Sequence, residues 1–280
     1  MVVMDTSMFW ILISLNMANR AFCIGNGRSR KGFDLKTLKP RGVILGCNNL
    51  YKDFVPDILV AKDAPIMHHI YNSGYCYTAK CFFKNWITIP EAKFETTLHK
   101  LFPGYRHLRA IRKSGQLIEN GRAGSSEFVL HGYNDEETKK NMVCVSWSTK
   151  DYVINIADIV RDAEQMDWSS GPLSGYIACK DIRELKEVYL VGHDLYSVGK
   201  GFNNIYAGQK FYKKDTHPSN YYVQGWILEW KQLFKWYHWI KFYKVNKKSY
   251  LNINIPEWSD CKNLEYISYE RMEAQTRNLP

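Results

Sequence analysis

Short apolar runs that end in glycine, asparagine or aspartate restrict the fold of this chain more than any other feature. The run RAFCI is followed by Gly25 and VILGC by Asn48. Two further strands, DILVAKD over residues 57–63 and EVYLVGHD over residues 187–194, each end on an acidic residue. Continuous apolar runs of about five residues are typical of strands that are buried on both faces, as in parallel sheets covered by helices. We therefore predict an α/β fold with a parallel sheet, helices on both faces, and ligands at the sheet's carboxyl edge.

Four further elements follow from local patterns. A helix over residues 33–38 follows the first glycine turn, and residues 142–147 form a strand. Ser169 or Ser170 caps a helix whose small residues permit close packing on a sheet. Apolar side chains at helical spacing predict a long aromatic helix over residues 219–244.

Positive charge and aromatic side chains coincide in one part of the chain. The whole sequence has a formal charge of +10. Residues 200–250 hold ten lysines and two acidic residues, a local charge of +8, with fifteen aromatic side chains. Such a surplus favours acidic partners such as nucleic acid or nucleotide phosphates. We predict that residues 200–250 form an aromatic, basic, helical part that binds an acceptor or acts as a lid.

Cysteine usage and the N-terminus indicate a cytoplasmic protein without a membrane span. The seven cysteines are scattered and mostly inside apolar runs, as buried free thiols are in a reducing compartment. The N-terminal run MFWILISLNM is shorter than the roughly 20 residues that span a bilayer. Asp5 precedes it, unlike the basic start of a signal peptide. Residues 1–16 are an extension or lie upstream of a start at Met17, and residues 17–280 form one domain.

The segment GNGRS, from Gly25 to Ser29, has the composition of a phosphate-binding turn. Glycines permit the backbone conformations and close approach that present N–H groups to an anion. The dinucleotide-binding fingerprint is incomplete, because Arg30 stands where its third glycine belongs, and the chain contains no P-loop motif. Taken alone, this segment fits a tight turn without a ligand equally well.

Four motifs in order are more specific: GNGRSRKGFDLKTL, VILGCNNLY, PDILVAKD and SSGPLSGYIACKDIRELKEVYLVGHDLYS. Together they resemble the sialyltransferase-like superfamily of nucleotide-sugar glycosyltransferases, whose pattern runs G-N-G-x-S, D-x-x-x-L, C-N, a serine-glycine helix start and K-E-[IV]-Y-L-x-G-x-D-[FL]-Y. The resemblance covers residues 20–63 and 168–220, under half of the chain. It implies a Rossmann-like fold and transfer of a sugar from a CMP- or UDP-sugar, with no tightly bound cofactor.

The resemblance also implies a set of donor-binding residues. Those at the phosphate and ribose are Gly25, Asn26, Gly27, Ser29 and Asn48, and those around the nucleoside are Ser170, Gly171, Gly192 and Asp194, with Tyr196 reaching the phosphate. The residue types suit this role, since amides both donate and accept, a carboxylate accepts from ribose hydroxyls, and glycines leave room. Asp194 has an alternative interpretation as a helix cap after its strand.

Sugar transfer needs a base for the acceptor hydroxyl and stabilisation of the leaving phosphate. In the superfamily a histidine downstream of the last strand motif is the base, and His217 is the nearest match; His193 is its competitor, but a packed position suits it better. The chain has no D-x-D triplet, which favours a metal-independent reaction without a metal site. Candidate partners for the phosphate include Arg30, Tyr206 and the Lys210 to Lys214 cluster.

The basic, aromatic region suits DNA as the acceptor, because lysines follow phosphates while aromatic rings stack on bases. The candidate acceptor-binding residues are Lys210, Lys213, Lys214, Trp226, Lys231 and Lys235. An enzyme that glycosylates a base in a duplex must first expose it. The chain resembles phage enzymes that glycosylate 5-hydroxymethylcytosine in DNA, among them arabinosyltransferases, which would place it in the host cytoplasm.

Three other functions stay open. The same region also fits the basic, membrane-touching segment of a sialyltransferase-like enzyme that acts on surface glycans or lipopolysaccharide. The G-N-G-S and G-x-D motifs also occur in a pterin diphosphokinase-like group, which would make the chain a pyrophosphoryl transferase. A non-catalytic module that binds nucleotides or DNA is the third. The sequence decides neither the sugar, the stereochemical outcome nor the oligomeric state.

Overall fold

The computed structural model describes residues 19–104, 127–135, 138–148, 152–161, 164–195, 203–212, 220–251 and 254–277. Within these ranges the chain is α/β, with a Rossmann-like parallel sheet of eight strands flanked by helices and a separate antiparallel sheet of three strands. The predicted α/β class with a parallel sheet is confirmed. A fold of this kind hosts many activities, so it does not by itself identify a glycosyltransferase.

The strands are β1 Arg20–Ile24, β2 Val43–Cys47, β3 Ile58–Ala61, β4 Lys80–Phe83, β5 Ile89–Pro90, β6 Glu127–Asp135, β7 Lys140–Ser148, β8 Val153–Asn155, β9 Glu187–Val191, β10 Lys241–Asn246 and β11 Leu264–Ser268. The helices are α1 Ala64–Asn72, α2 Phe94–Leu101, α3 Ser170–Asp181, α4 Asn220–Trp236 and α5 Tyr269–Thr276. No helix in the described part of the chain is long and apolar enough to cross a membrane. The N-terminal run considered above lies outside the described residues.

The chain divides into two compact units, Met1–Val60 with Asp167–Pro280, and Ala61–Met166. In the first unit, the strands of the large sheet run in the order β11, β10, β9, β1, β2, β3. Neighbouring strands in this order are parallel. The chain therefore places β2 and β3 on one side of β1. Later in the sequence it places β9, β10 and β11 on the other side.

Helical segments cover both faces of this sheet in the first unit. One face carries an apolar cluster that joins strand residues to a 3-10 helix over Leu35–Arg41 and to α5; its members include Phe22, Ile24, Tyr189, Val191, Leu38 and Met272. Helix α3 lies against β1 and β2 on the opposite face. Gly175 of α3 allows α4 to approach, since a Cβ there would lie 2.5 Å from Trp230. The predicted two-sided covering is present.

The predicted helix over residues 219–244 is too long. Helix α4 ends at Trp236, and the Asn263 side-chain amide donates to the carbonyl oxygens of Phe234 and Ile240, both at 3.0 Å. These bonds satisfy carbonyls that a continuing helix would have used. The following run KFYKVN forms β10, which pairs with β9 and β11. The C-terminal region is therefore not only helical, because it contributes an interior strand.

The second unit contains the parallel pair of β4 and β8 and the antiparallel sheet β5, β6, β7. Strands β6 and β7 form a hairpin of nine residue pairs, which confirms the strand predicted over residues 142–147. Helix α2 packs on the hairpin through Phe94, whose ring centroid lies 4.2 Å from that of Phe128.

A buried chain of hydrogen bonds links helix α1 to this hairpin. His68 Nδ1 lies 2.6 Å from Ser146 Oγ, and His68 Nε2 lies 2.8 Å from His131 Nδ1. His131 Nε2 lies 3.1 Å from the carbonyl oxygen of Asn85, which can only accept. His131 therefore donates there through Nε2, His68 donates to His131, and Ser146 donates to His68. These directions hold for neutral rings, and burial favours the neutral forms because it lowers the pKa of both His68 and His131.

We expect this unit to lose stability in acid. Burial lowers the pKa of His68 well below its ordinary value, so the unfolded chain binds a proton at a higher pH than the folded one. Stability is then complete above about pH 6.5 and falls as the pH drops below it. His68→Gln should reduce the difference in thermal midpoint between pH 7.5 and pH 5. The exposed His238→Gln should leave that difference unchanged, and equal slopes in all three proteins would refute the assignment.

Candidate functional site

The strand order places a switch point between β1 and β9. Successive strands leave this point in opposite directions, and in open α/β sheets such a point opens a crevice at the carboxyl ends where ligands bind. The segment after β1 is the glycine turn that begins at Gly25, and the segment after β9 begins at Gly192. Two motifs that are 167 residues apart in sequence thus flank one crevice.

Backbone hydrogen bonds hold these two segments together beyond the strands. The Gly25 N–H donates to the carbonyl oxygen of Val191, and the Gly27 N–H donates to that of Gly192, both at 2.8 Å. A Cβ on either Gly25 or Gly27 would lie 2.5 Å from the Gly192 oxygen. Gly192 itself has a φ of +70°, which non-glycine residues rarely adopt. The glycines are therefore required by this close backbone approach.

Asp194 binds the first turn directly. Its carboxylate accepts a 2.9 Å hydrogen bond from the Ser29 N–H and a second, short one from the Ser29 hydroxyl. Ser29 belongs to the 3-10 helix Arg28–Arg30, which follows β1. Asp194 follows β9, so its carboxylate accepts from the N–H of a helix in a distant part of the sequence. The alternative interpretation of Asp194, as the cap of a helix after its own strand, concerns residues 196–202, which lie outside the described residues. Its proposed contact with a ribose stays a prediction.

Arg30, a candidate phosphate partner by sequence, is turned into the protein. Its guanidinium donates to the Gly25 carbonyl oxygen at 2.7 Å and to the Tyr206 hydroxyl at 3.1 Å, and the residue is 6% exposed. The Tyr206 hydroxyl donates to Asp53 at 2.6 Å. Burial raises the pKa of Tyr206, so the hydroxyl keeps its proton. These groups fix the shape of the turn, and Asn26 joins them through a 3.2 Å bond from its amide to the Cys47 carbonyl oxygen.

The next strand and helix α3 contribute the third part of the site. Asn48 follows β2 directly, and its Oδ1 accepts from the Ser170 hydroxyl at 3.4 Å. Ser169 is the residue that precedes α3, and its N–H donates to Glu229 at 3.0 Å, while neither serine side chain caps the helix. Gly171 lies under the imidazole of His193, since a Cβ there would be 2.8 Å from that ring.

His193 is packed, as the sequence predicted. Its Nε2 lies 3.2 Å from the Cys23 carbonyl oxygen, and its ring meets Trp230 edge-on at 5.1 Å. Burial, together with the charge of Lys244, lowers the pKa of His193 to about 3. The imidazole therefore stays neutral at physiological pH and donates its Nε2 proton to the backbone.

The structure thus brings together those of the predicted donor-binding residues that it describes. They lie at the carboxyl ends of β1, β2 and β9 and at the start of α3: Gly25, Asn26, Gly27, Ser29, Asn48, Ser170, Gly171, Gly192 and Asp194. The remaining predicted donor residue, Tyr196, lies outside the described residues. So do the predicted base His217 and the predicted acceptor residues Lys213 and Lys214.

The other predicted acceptor residues lie on different elements. Lys210 is exposed, with its ammonium 5.2 Å from the ring of Phe211. Trp226 is half-buried on α4. Farther along that helix, Lys231 and Lys235 lie 2.8 and 3.8 Å from the carboxylate oxygens of Asp260. Their binding to an acceptor stays a prediction.

Three site residues were missed by sequence reasoning. Asn49, fully buried after β2, has an amide nitrogen and an amide oxygen that both lack a hydrogen-bond partner in the described structure. Lys244 and Asn246 of β10 are buried next to β9. The available signal was a lysine and an asparagine in the otherwise apolar run FYKVN. It was missed because the predicted helix extended into this run.

Comparison with protein-family models, with curated proteins and with solved structures finds no match for this chain. Among the residues that the structure describes, no three histidine, cysteine or acidic side chains group as metal ligands. The function of the chain is therefore inferred from its motifs and from the geometry of this crevice.

Gly27→Ala should disrupt the crevice. The added methyl group would meet the Gly192 oxygen and the Asp194 carboxylate, both at 2.5 Å, and such overpacking costs about 1–3 kcal/mol. We expect a lower free energy of unfolding in urea and weaker nucleotide binding. Gly104→Ala is the matched control, because no described atom lies within 4 Å of the position that its Cβ would take. A Gly27→Ala protein with unchanged stability would contradict the close approach.

Proposed function

We propose that this chain is a nucleotide-sugar-dependent glycosyltransferase whose donor binds at the crevice between β1 and β9. The observation that supports this best is the meeting of the described donor-binding residues, from three distant parts of the sequence, at the switch point of a parallel sheet. A simple tight turn would not need its glycines to pack against a second motif 167 residues away.

The groups at the crevice suit a nucleotide. Glycine backbone beside a short helix allows close approach of a phosphate, which backbone N–H groups then bind. The Asp194 carboxylate can exchange its bond with the Ser29 hydroxyl for one with a ribose hydroxyl, since both are the same kind of donor. The amides of Asn48 and Asn49 offer donors and acceptors to a base or sugar.

The reaction transfers the sugar from phosphate to an acceptor hydroxyl. The acceptor oxygen attacks the anomeric carbon, the bond from that carbon to the phosphate oxygen breaks, and the nucleotide leaves with the electron pair. A base takes the hydroxyl proton. We assign this role to His217 through the resemblance, because an imidazole titrates near neutrality.

For the acceptor we propose 5-hydroxymethylcytosine in duplex DNA, with arabinose as the sugar that the resemblance favours. The charge of residues 200–250 supports a polyanionic acceptor. Part of this charge is offset by acidic residues from outside the region: Lys231 and Lys235 pair with Asp260, Lys241 with Glu265, and Lys248 with Glu270. The exposed Lys210 has no such carboxylate partner among the described residues.

The donor and base assignments predict different effects. Asp194→Asn should weaken CMP or UDP binding at least tenfold in calorimetry, because an amide replaces the charged acceptor. His217→Ala should bind the nucleotide normally but abolish sugar transfer. His238→Ala, which removes an exposed histidine, should do neither. Normal transfer by His217→Ala would exclude it as the base, and unchanged nucleotide binding by Asp194→Asn would exclude the donor site.

The acceptor is tested by incubating the protein with CMP- and UDP-sugars and hydroxymethylated or unmodified duplex DNA. We expect the mass of one sugar on the hydroxymethylated nucleoside only. Transfer to a free glycan but not to DNA would overturn the acceptor and leave the glycosyltransferase proposal standing. Binding to duplex DNA should also weaken steeply as the salt concentration rises from 50 to 200 mM, as expected for several phosphate contacts.

A further inference from the structure

Lys244 is a buried cation in the interior of the sheet. Strand β10 pairs with β9 so that Val245 lies opposite Val191, and both belong to the apolar cluster on one face. Since side chains alternate along a strand, Lys244 and Asn246 point to the other face, on which α3 lies. Lys244 is 3% exposed and Asn246 is 8% exposed.

The ammonium group of Lys244 has little to satisfy it. Its Nζ donates to Asn246 Oδ1 at 2.6 Å, which is its one hydrogen-bond partner in the part of the chain that the structure describes. An ammonium carries three donors, and a buried charge with a single neutral acceptor is unfavourable. A buried cation of this kind beside a crevice is a candidate for a functional residue.

The charge of Lys244 acts on the crevice described above. Burial lowers the pKa of Lys244 to about 8, and the nearby Asp194 carboxylate opposes that shift. The same positive charge contributes to the low pKa of His193. Asn246 ends β10 one residue beyond Val245, which is level with the last residue of β9. Lys244 is level with Leu190, two residues before Gly192, whose carbonyl oxygen accepts from the glycine turn.

Arg30, the other buried cation described at the crevice, already uses three of its five N–H groups. Arg30 donates to Gly25, Asn26 and Tyr206 inside the protein. Leaving-group charge in a metal-independent transfer must be balanced by protein donors, and a desolvated cation is more effective there than an exposed one. Lys244, which is 3% exposed, meets this requirement.

We propose that Lys244, positioned by Asn246, binds the phosphate of the nucleotide and balances its charge as the nucleotide leaves. This rests on the proposed function, because it assumes that a nucleotide enters the crevice. The phosphate oxygens accept hydrogen bonds from the two N–H groups of Lys244 that do not bind Asn246. This interaction strengthens as negative charge develops on the leaving oxygen.

The test compares phosphate-bearing and phosphate-free ligands. In calorimetry, Lys244→Met should lose at least tenfold in affinity for CMP and UDP, while its affinity for cytidine and uridine stays within twofold. Lys244→Arg should retain part of the affinity. In the wild type the affinity for CMP should fall as the pH rises through about 8, and in Lys244→Arg that fall should be absent. Lys247→Met, which removes an exposed lysine three residues away, is the control.

A thermal midpoint distinguishes binding from a purely structural role. Replacing a buried charge by an apolar side chain is often neutral or stabilising, so Lys244→Met should not lower the midpoint. Asn246→Asp provides a second variant, because it keeps Lys244 but pairs it with a carboxylate, and it should also weaken CMP binding. Unchanged CMP affinity in both variants would overturn the role of Lys244 and leave the proposed function intact.

Pyrophosphate separates the two proposals. If the wild type binds pyrophosphate, Lys244→Met does not, and no nucleotide binds, phosphate binding by Lys244 stands, while the proposed function and the part of Lys244 in nucleotide release both fail. If the wild type binds neither pyrophosphate nor any nucleotide, both proposals are overturned.

Discussion

The candidate site depends on the pairing of β1 with β9, which continues past the ends of both strands. The N–H groups of Gly25 and Gly27 donate to the carbonyl oxygens of Val191 and Gly192, and a side chain at either glycine would prevent this approach. With that contact in place, Ser29 reaches the Asp194 carboxylate. The motifs of one crevice are thus joined by backbone hydrogen bonds rather than by side-chain packing alone.

Polar groups around this contact fall into two classes. Arg30, Tyr206 and Asp53 satisfy one another and define the shape of the turn, although a basic residue next to a glycine turn is predicted from sequence to be a phosphate partner. Asn49 and Lys244 are buried with unused hydrogen-bonding capacity in the described structure. Because unsatisfied buried polar groups are costly, such residues mark where a ligand is expected.

Local sequence predicted the elements whose signal is local. The apolar runs became β1, β2, β3 and β9, although β3 and β9 end at Ala61 and Val191, two and three residues before their predicted ends. The aromatic helix was predicted too long, because periodic apolar residues continue through the run that forms β10. Its true end depends on Asn263, which lies 27 residues beyond Trp236 and donates to the last carbonyl oxygens. No pattern within the helix contains that information.

The sequence by itself determined the α/β class, the strands β1, β2, β3 and β9, and the residues that gather at the carboxyl edge, because apolar runs and glycine turns act over a few residues. Only the tertiary structure decided which polar side chains are available there. It showed that Arg30 is already bound and that Lys244, hidden in a strand, is not fully satisfied. Whether a polar side chain can bind a ligand depends on hydrogen-bond partners that lie far away in the chain. Burial and hydrogen bonds between distant segments arise only when the chain folds.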